Sequence, residues 1–225
     1  MAMRERRHLL LLISILVLFT LSPLVVTFRH GVLFLNVFGA AVLVAGSYAL
    51  SERKQLFTIA IVLSATSIVA TSLLLAFPQH WAVLVSHSSI ILLVAFFCVS
   101  ILAYVLRSGR VTSDKIFAAI CVYLLLGYVW TFAYALLDEI QPGSFVALTE
   151  TGRNDRVARV MQHRYLSFAT LTTVGYGDVT PRSPAARTMA MLEAVVGQIY
   201  LAVLVARLVG LHIVHANKPR TRDDS

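Results

Sequence analysis

The sequence predicts an all-α membrane protein with six transmembrane helices, plus a short re-entrant helix and an extended run between the fifth and sixth. Three observations predict it. Of 225 residues, 58% are hydrophobic and only 13% are charged, about half the charged share of a soluble domain. The apolar residues come in blocks close to the ~20 needed to cross a bilayer. Between the last two blocks lies a segment too long for a turn, and it contains Thr-Leu-Thr-Thr-Val-Gly-Tyr-Gly-Asp at 170–178.

The spanning segments run from about Leu9 to Val26, Val32 to Leu50, Leu56 to Phe77, Trp81 to Leu106, Lys115 to Leu137 and Pro184 to Val214. The first pair is joined by a short turn, Phe28-Arg29-His30-Gly31, which predicts an antiparallel hairpin. Arg4, Arg6 and Arg7 precede the first block, as in a signal peptide. Its apolar run is too long for one, and no small-x-small cleavage site follows. It reads as a retained helix.

The formal net charge of +8 does not point to nucleic acid, because the basic residues cluster in short loops at helix ends. Arg4, Arg6 and Arg7, then Arg53 and Lys54, then Arg107, Arg110 and Lys115, then Lys218, Arg220 and Arg222 alternate with loops that carry only Arg29. This bias places both termini in the cytoplasm of a multi-pass protein of the cell (inner) membrane. The loop 138–164 breaks the bias with Arg153, Arg156 and Arg159. Its turn-rich Gln-Pro-Gly at 141–143 and Thr-Gly-Arg-Asn at 151–154 suit an extracellular turret. Cys98 and Cys121 both fall inside apolar segments, which implies no disulfide framework.

The stretch 138–184 must leave the membrane and dip partly back. Irregular backbone at that depth survives only when buried in protein or lining water. Tyr165 to Thr172 suits a short helix whose C-terminal carbonyls favour a cation at its end. The run Thr173-Val174-Gly175-Tyr176-Gly177 follows. Its glycines reach backbone angles closed to other residues, so successive carbonyls can face one axis. Four such strands form oxygen rings that replace the hydration shell of K+, with K+ held at Thr173, Val174, Gly175 and Tyr176. The Thr173 side-chain oxygen completes the inner end. One run per chain and no internal repeat then require a homotetramer.

Residues 115–214 resemble the pore module of potassium channels, in the order outer helix, pore helix, T-V-G-Y-G-D, inner helix. The six-helix arrangement resembles the voltage-gated-type superfamily, and within it the small bacterial members without large cytoplasmic domains. The resemblance implies a four-helix domain over 1–110, a pore domain over 111–214 and a short cytoplasmic tail over 215–225. It implies that Thr173–Gly177 is the selectivity filter, with Asp178 behind its outer mouth. Gly197 follows Asp178 by 19 positions, as does the inner-helix glycine where many relatives bend; a small residue easing helix packing is the other reading. Counting from Gly197, Gln198, Leu201 and Val205 would line the cavity, although Gln198 packed against the pore helix would be a satisfied amide.

The chain departs from the family in three places. Between Trp81 and Leu106 there is no Lys or Arg, and the second and third segments hold no Asp or Glu. A voltage sensor needs such charges, each contributing ~2.3 kcal/mol per 100 mV, so conventional voltage gating is not expected. Only 11 residues follow Val214, which predicts no ligand-gating domain there. Where the resemblance would put a filter-bracing glutamate stands Ala169, and the paired aromatics of the pore helix are Tyr165 and Leu166. Asp178 then needs water or Tyr165 as its donor.

Glu193, a carboxylate inside the sixth segment, is a functional candidate by default. It is expected to brace the pore helix through Ser167 or Thr170, the alternative being the outer interface and Arg187. Arg207 is expected to snorkel to the interface, with Asp114 as a weaker partner. His212, His215 and His163 are candidates for a pH effect; His30 and His80 suit an interface, and His87 a buried neutral contact. Ser47, Ser64, Thr66, Ser67, Ser72, Ser88 and Ser89 are expected to hydrogen-bond between helices or to their own backbone. The short 107–114 linker favours helices packed on their own pore domain.

The function that follows is a homotetrameric K+-selective channel in a lipid bilayer, with no cofactor beyond filter K+, no nucleic-acid partner and no enzymatic site. The alternatives are a non-conducting or modulatory subunit of a mixed channel, and a potassium uptake subunit. A single full two-glycine run disfavours the latter.

Overall fold

The computed structural model describes residues 7–25, 39, 42–50, 53–107, 112–147 and 156–216, with the side chains of 23–25, 147 and 208–216 excepted. The turn 28–31, the basic residues Arg4, Arg6, Arg110, Arg153, Lys218, Arg220 and Arg222, and the side chains of His212 and His215 lie outside these.

The helices are α1 (Arg7–Val25), α2 (42–49), α3 (Lys54–Ala76), α4 (His80–Val105), α5 (Ser113–Ile140), α6 (Arg156–Leu171) and α7 (Pro184–Ala216). Among the described residues four are long and apolar enough to cross a membrane: α3, α4, α5 and Pro184–Arg207 of α7. The apolar part of α1 is shorter, Arg7–Ser22, and most of the expected second span lies outside the described residues. α5 starts two residues before the sequence suggests because Thr112 caps it, accepting a hydrogen bond from Lys115 N at 3.3 Å. An N-cap oxygen satisfies an amide that has no intrahelical partner.

α3 and α4 form a hairpin around Pro78, which cannot continue a helix. The buried face of α3 is Ala60, Ser64, Ser67 and Ala70. Small residues at helical spacing let two backbones approach in lipid. Across this seam Ser67 Oγ donates to the Ser89 carbonyl at 3.1 Å, and Thr71 Oγ1 lies 3.4 Å from Ser86 Oγ. Thr66 bonds back to its own helix at Val62. Leu93, Phe97 and Ile101 of α4 then meet Cys121, Val122 and Leu125 of α5 in the main core. Cys98 and Cys121 are buried free thiols.

α4 therefore packs against the α5 that follows it in the same chain. At the end where α1 and α5 begin and α4 finishes, Asp114 ties the three together. Its carboxylate accepts from His8 N at 3.3 Å, contacts His8 Nδ1 at 2.7 Å and accepts from the Tyr104 hydroxyl at 2.9 Å. Asp114 is thus engaged by α1 and α4, and Arg207 bonds elsewhere: its Nη2 donates to the carbonyls of Leu106 at 2.5 Å and Arg107 at 3.0 Å. In place of the Asp114 pairing, this tethers α7 to the α4–α5 linker.

At the opposite end, a turn at Gly143 (φ +83°) follows α5. A two-stranded antiparallel ribbon then pairs β1 (Phe145–Ala147) with β2 (Val179–Pro181), Val146 opposite Thr180. Three-residue strands carry no readable alternation, so the sequence does not announce them.

Candidate ion pathway

α6 has 16 residues, too few to span a bilayer, and starts well before the expected Tyr165. It is wedged beside α5 through Gly127: a Cβ there would meet the Phe168 ring at 2.6 Å. Only glycine permits this approach. On the other side a Cβ at Gly197 would meet Leu171 Cδ1 at 2.8 Å and the Leu171 carbonyl at 3.1 Å. The Gly197 backbone thus lies directly under the C-terminus of α6. Tyr123 of α5 donates to the same Leu171 carbonyl at 3.1 Å.

Beyond α6 the backbone turns outward. The amide of Thr173 bonds to Thr170 O at 3.0 Å, and those of Val174 and Gly175 to Ala169 O at 2.9 and 3.2 Å. The Ala169 carbonyl is thus the anchor of the run. Positive φ then alternates along the run, with Thr173 at 61°, Gly175 at 52° and Gly177 at 80°. An ordinary strand points its carbonyls alternately to either side; alternating the sign of φ turns them to the same side. Thr173 is a β-branched residue in left-handed backbone, a strained state that persists where surrounding structure over-determines it. Among the described residues the carbonyls of 173–177 accept no hydrogen bond. Val174 and Tyr176 are 50% and 74% exposed in the single chain.

The outer end of the run is held by side chains. The Tyr165 and Tyr176 rings stack, with centroids 6.3 Å apart and planes 9° off parallel. The Asp178 carboxylate lies near enough to Tyr165 to act on its hydroxyl, and its Oδ1 accepts from Val179 N at 3.1 Å. The ribbon follows at once, and Arg182 N bonds to Ser144 O at 2.7 Å.

Glu193 of α7 is fully buried. Its Oε1 accepts from Ser167 Oγ at 2.5 Å, and its Oε2 from the Tyr134 hydroxyl. Ser167 also reaches Gly127 O at 2.8 Å. One carboxyl thus joins α5, α6 and α7. Arg187 instead points its Nε at Pro181 O, 3.4 Å away. Tyr134 and Gly127 escape sequence reasoning; a tyrosine and a glycine at helical spacing within α5 are the only signal. Gln198, Leu201 and Val205 lie exposed on α7, with Ile199 and Val203 beside them.

Among the histidines, His80 pairs with Glu139 at 2.8 Å. His87 is near Phe132, with Nδ1 buried and without a partner among the described residues. His163 on α6 is buried, 3.7 Å from Asp138 Oδ2, with Phe145 edge-on to its ring. Burial, and then the nearby Arg159 charge, push His163 down to about 4.

A family profile described as "Ion channel" matches residues 122–211, from within α5 through the run into α7. Protein LctB of Bacillus caldotenax is 34% identical over 100 residues, 44% of this chain and 74% of the relative. The chain belongs to this ion-channel family. Protein LctB of Geobacillus stearothermophilus is 33% identical over 109 residues, 48% of this chain and 79% of the relative. Two pore potassium channel a of Oryza sativa subsp. japonica is 32% identical over 87 residues, 39% of this chain and 21% of the relative. No solved structure matches. Family and apolar helices together make the chain a multi-pass membrane protein and an ion-transporting channel, not an enzyme.

Proposed function

We propose that the chain forms a homotetrameric K+-selective channel in the cell (inner) membrane with both termini cytoplasmic. It conducts passively through a filter made of Thr173, Val174, Gly175, Tyr176 and Gly177. The observation that carries this reading is the alternation of positive φ at Thr173, Gly175 and Gly177, with the run's carbonyls left without hydrogen-bond donors. A dehydrated cation at a fourfold axis supplies what those oxygens lack. The likeness to a plant protein named as a potassium channel favours K+ as the cargo.

In this reading α6 is the re-entrant pore helix, and its C-terminus aims negative dipole at the cation. Asp178 and Tyr165 set the outer mouth. Glu193, through Ser167 and Tyr134, fixes α6 against the inner and outer helices. The exposed face of α7 carrying Gln198, Leu201 and Val205 lines the cavity, and the exposed Val174 and Tyr176 lie against neighbouring subunits. α4 holds no Lys or Arg, so opening does not depend steeply on voltage.

The test is flux from liposomes reconstituted with the purified chain alone, combined with its mass in detergent. A tetramer that releases K+ and retains Na+ is expected. A monomer, or equal release of both ions, defeats the reading.

A further inference from the structure

A cavity of about 1130 Å³ opens at the end of the bundle opposite the filter, between α1, α3, α4 and α5. Its lining has two chemical halves. Arg53 and Arg107 are exposed along it, and among the described residues neither side chain is in an ion pair or a hydrogen bond. Arg7 adds a third guanidinium, seated 5.6 Å from the centroid of the Tyr48 ring. Among the described lining residues Asp114 is the carboxylate, and three donors from His8 and Tyr104 already engage it. The other half is apolar, with Leu9, Leu50, Leu56 and Phe117.

Among the described lining residues positive charge thus exceeds negative, beside a greasy wall. α3 also begins here, and its N-cap residue Arg53 makes no side-chain cap bond. The first-turn amides of α3 therefore add the positive end of a helix dipole. Basic residues at helix ends orient membrane proteins without forming any site. What the orienting role does not require is a cavity around them.

We propose that this cavity binds an anionic phospholipid, with the phosphate between Arg53 and Arg107 and the glycerol and first acyl carbons against the apolar wall. Basic pockets between helices at this face suit such headgroups. The apolar half favours a lipid over free phosphate, which would leave that wall hydrated. The consequence for gating rests on the channel reading. The carbonyls of Leu106 and Arg107 hold Arg207 of α7, so an occupant that fixes Arg107 also fixes the end of the inner helix.

Binding and gating are tested separately. Delipidated full-length protein is titrated with phosphatidylglycerol, phosphatidylcholine or inorganic phosphate, with bound lipid counted by native mass spectrometry and Tm followed. Phosphatidylglycerol is expected to bind and raise Tm, while phosphatidylcholine and phosphate leave it unchanged. Arg53→Gln with Arg107→Gln should weaken phosphatidylglycerol binding at least tenfold, and Arg182→Gln at the opposite end should not. Should the double variant fail to fold, each single Gln variant should lose at least threefold while the matching Lys variant keeps more. Unchanged affinity in the Gln variants, or an equal Tm rise with inorganic phosphate, overturns the site. Phosphatidylglycerol binding that is lost in the variants while K+ flux stays the same retains the site and overturns only its link to α7.

Discussion

The two halves of this chain are built on different principles. In α1–α4, helices meet through small residues and apolar side chains, with a few hydroxyl bonds such as Ser67 to Ser89 O. From α5 onward, named polar contacts fix nearly every junction. Glu193 joins three helices, Tyr123 holds the end of α6, and Ala169 O anchors the run. Packing of the first kind tolerates substitution by similar shapes. Positioning a row of carbonyls does not, because each misplaced oxygen would alter the proposed cation site. The ion-channel profile falls in the second half, where polar contacts fix the junctions.

The largest expected effect comes from the run itself. Gly175→Ala puts a Cβ on left-handed backbone (φ +52°), costing about 1–2 kcal/mol per copy and turning a carbonyl away. K+ conduction in single-channel recordings should vanish while the tetramer still assembles. Conduction like that of the parent would remove the contrast.

Next is Gly127→Ala, which drives a methyl into the Phe168 ring at 2.6 Å. Overpacking of this kind costs about 1–3 kcal/mol, so thermal unfolding should show a clear drop in Tm. The Glu193 junction follows. Glu193→Ala leaves the Ser167 and Tyr134 hydroxyls buried with one fewer partner, at about 1–3 kcal/mol, and should lower both stability and K+/Na+ selectivity. Glu193→Gln keeps an acceptor and should stay near the parent. Equal behaviour of the two variants would mean that the carboxyl only fills space.

A smaller effect is expected with acid. His163 is held neutral in the fold, pushed down to about 4 by burial, against an ordinary value of about 6.5. The unfolded chain therefore takes up the proton first, so the histidine's contribution is present above pH 6.5 and is lost progressively as pH falls toward 4. His163→Gln should flatten the fall of Tm between those values; an unchanged slope would point to another group. The smallest effect belongs to the first half: Ser67→Ala should change Tm little, at about 0.6 kcal/mol for an interhelical bond in a membrane, and leave selectivity alone. A loss of selectivity there would blur the division between the halves.

Much of this was legible in residues. The apolar blocks mark α3, α4, α5 and α7 to within three residues because lipid forces both length and polarity. The backbone of 173–177 was legible in part, because Gly175 and Gly177 open the left-handed angles that the run adopts. The Ser167 contact of Glu193 was accessible as a candidate, since a carboxylate at that depth needs a donor within reach. The ribbon β1–β2 was not legible, being three residues long. Nor was the role of Gly127, which depends on where Phe168 arrives from 41 positions away. The partners of Arg207 were not legible either, because the carbonyls of Leu106 and Arg107 that it reaches lie about 100 positions away in sequence.

The most direct measurement of the central claim is the reversal potential of the purified full-length chain in a planar bilayer with K+ on one side and Na+ on the other. A reversal potential set by the K+ gradient, unaltered by substitutions in α4, is what the account predicts. A value near zero, as for a pore that passes both ions alike, would contradict it.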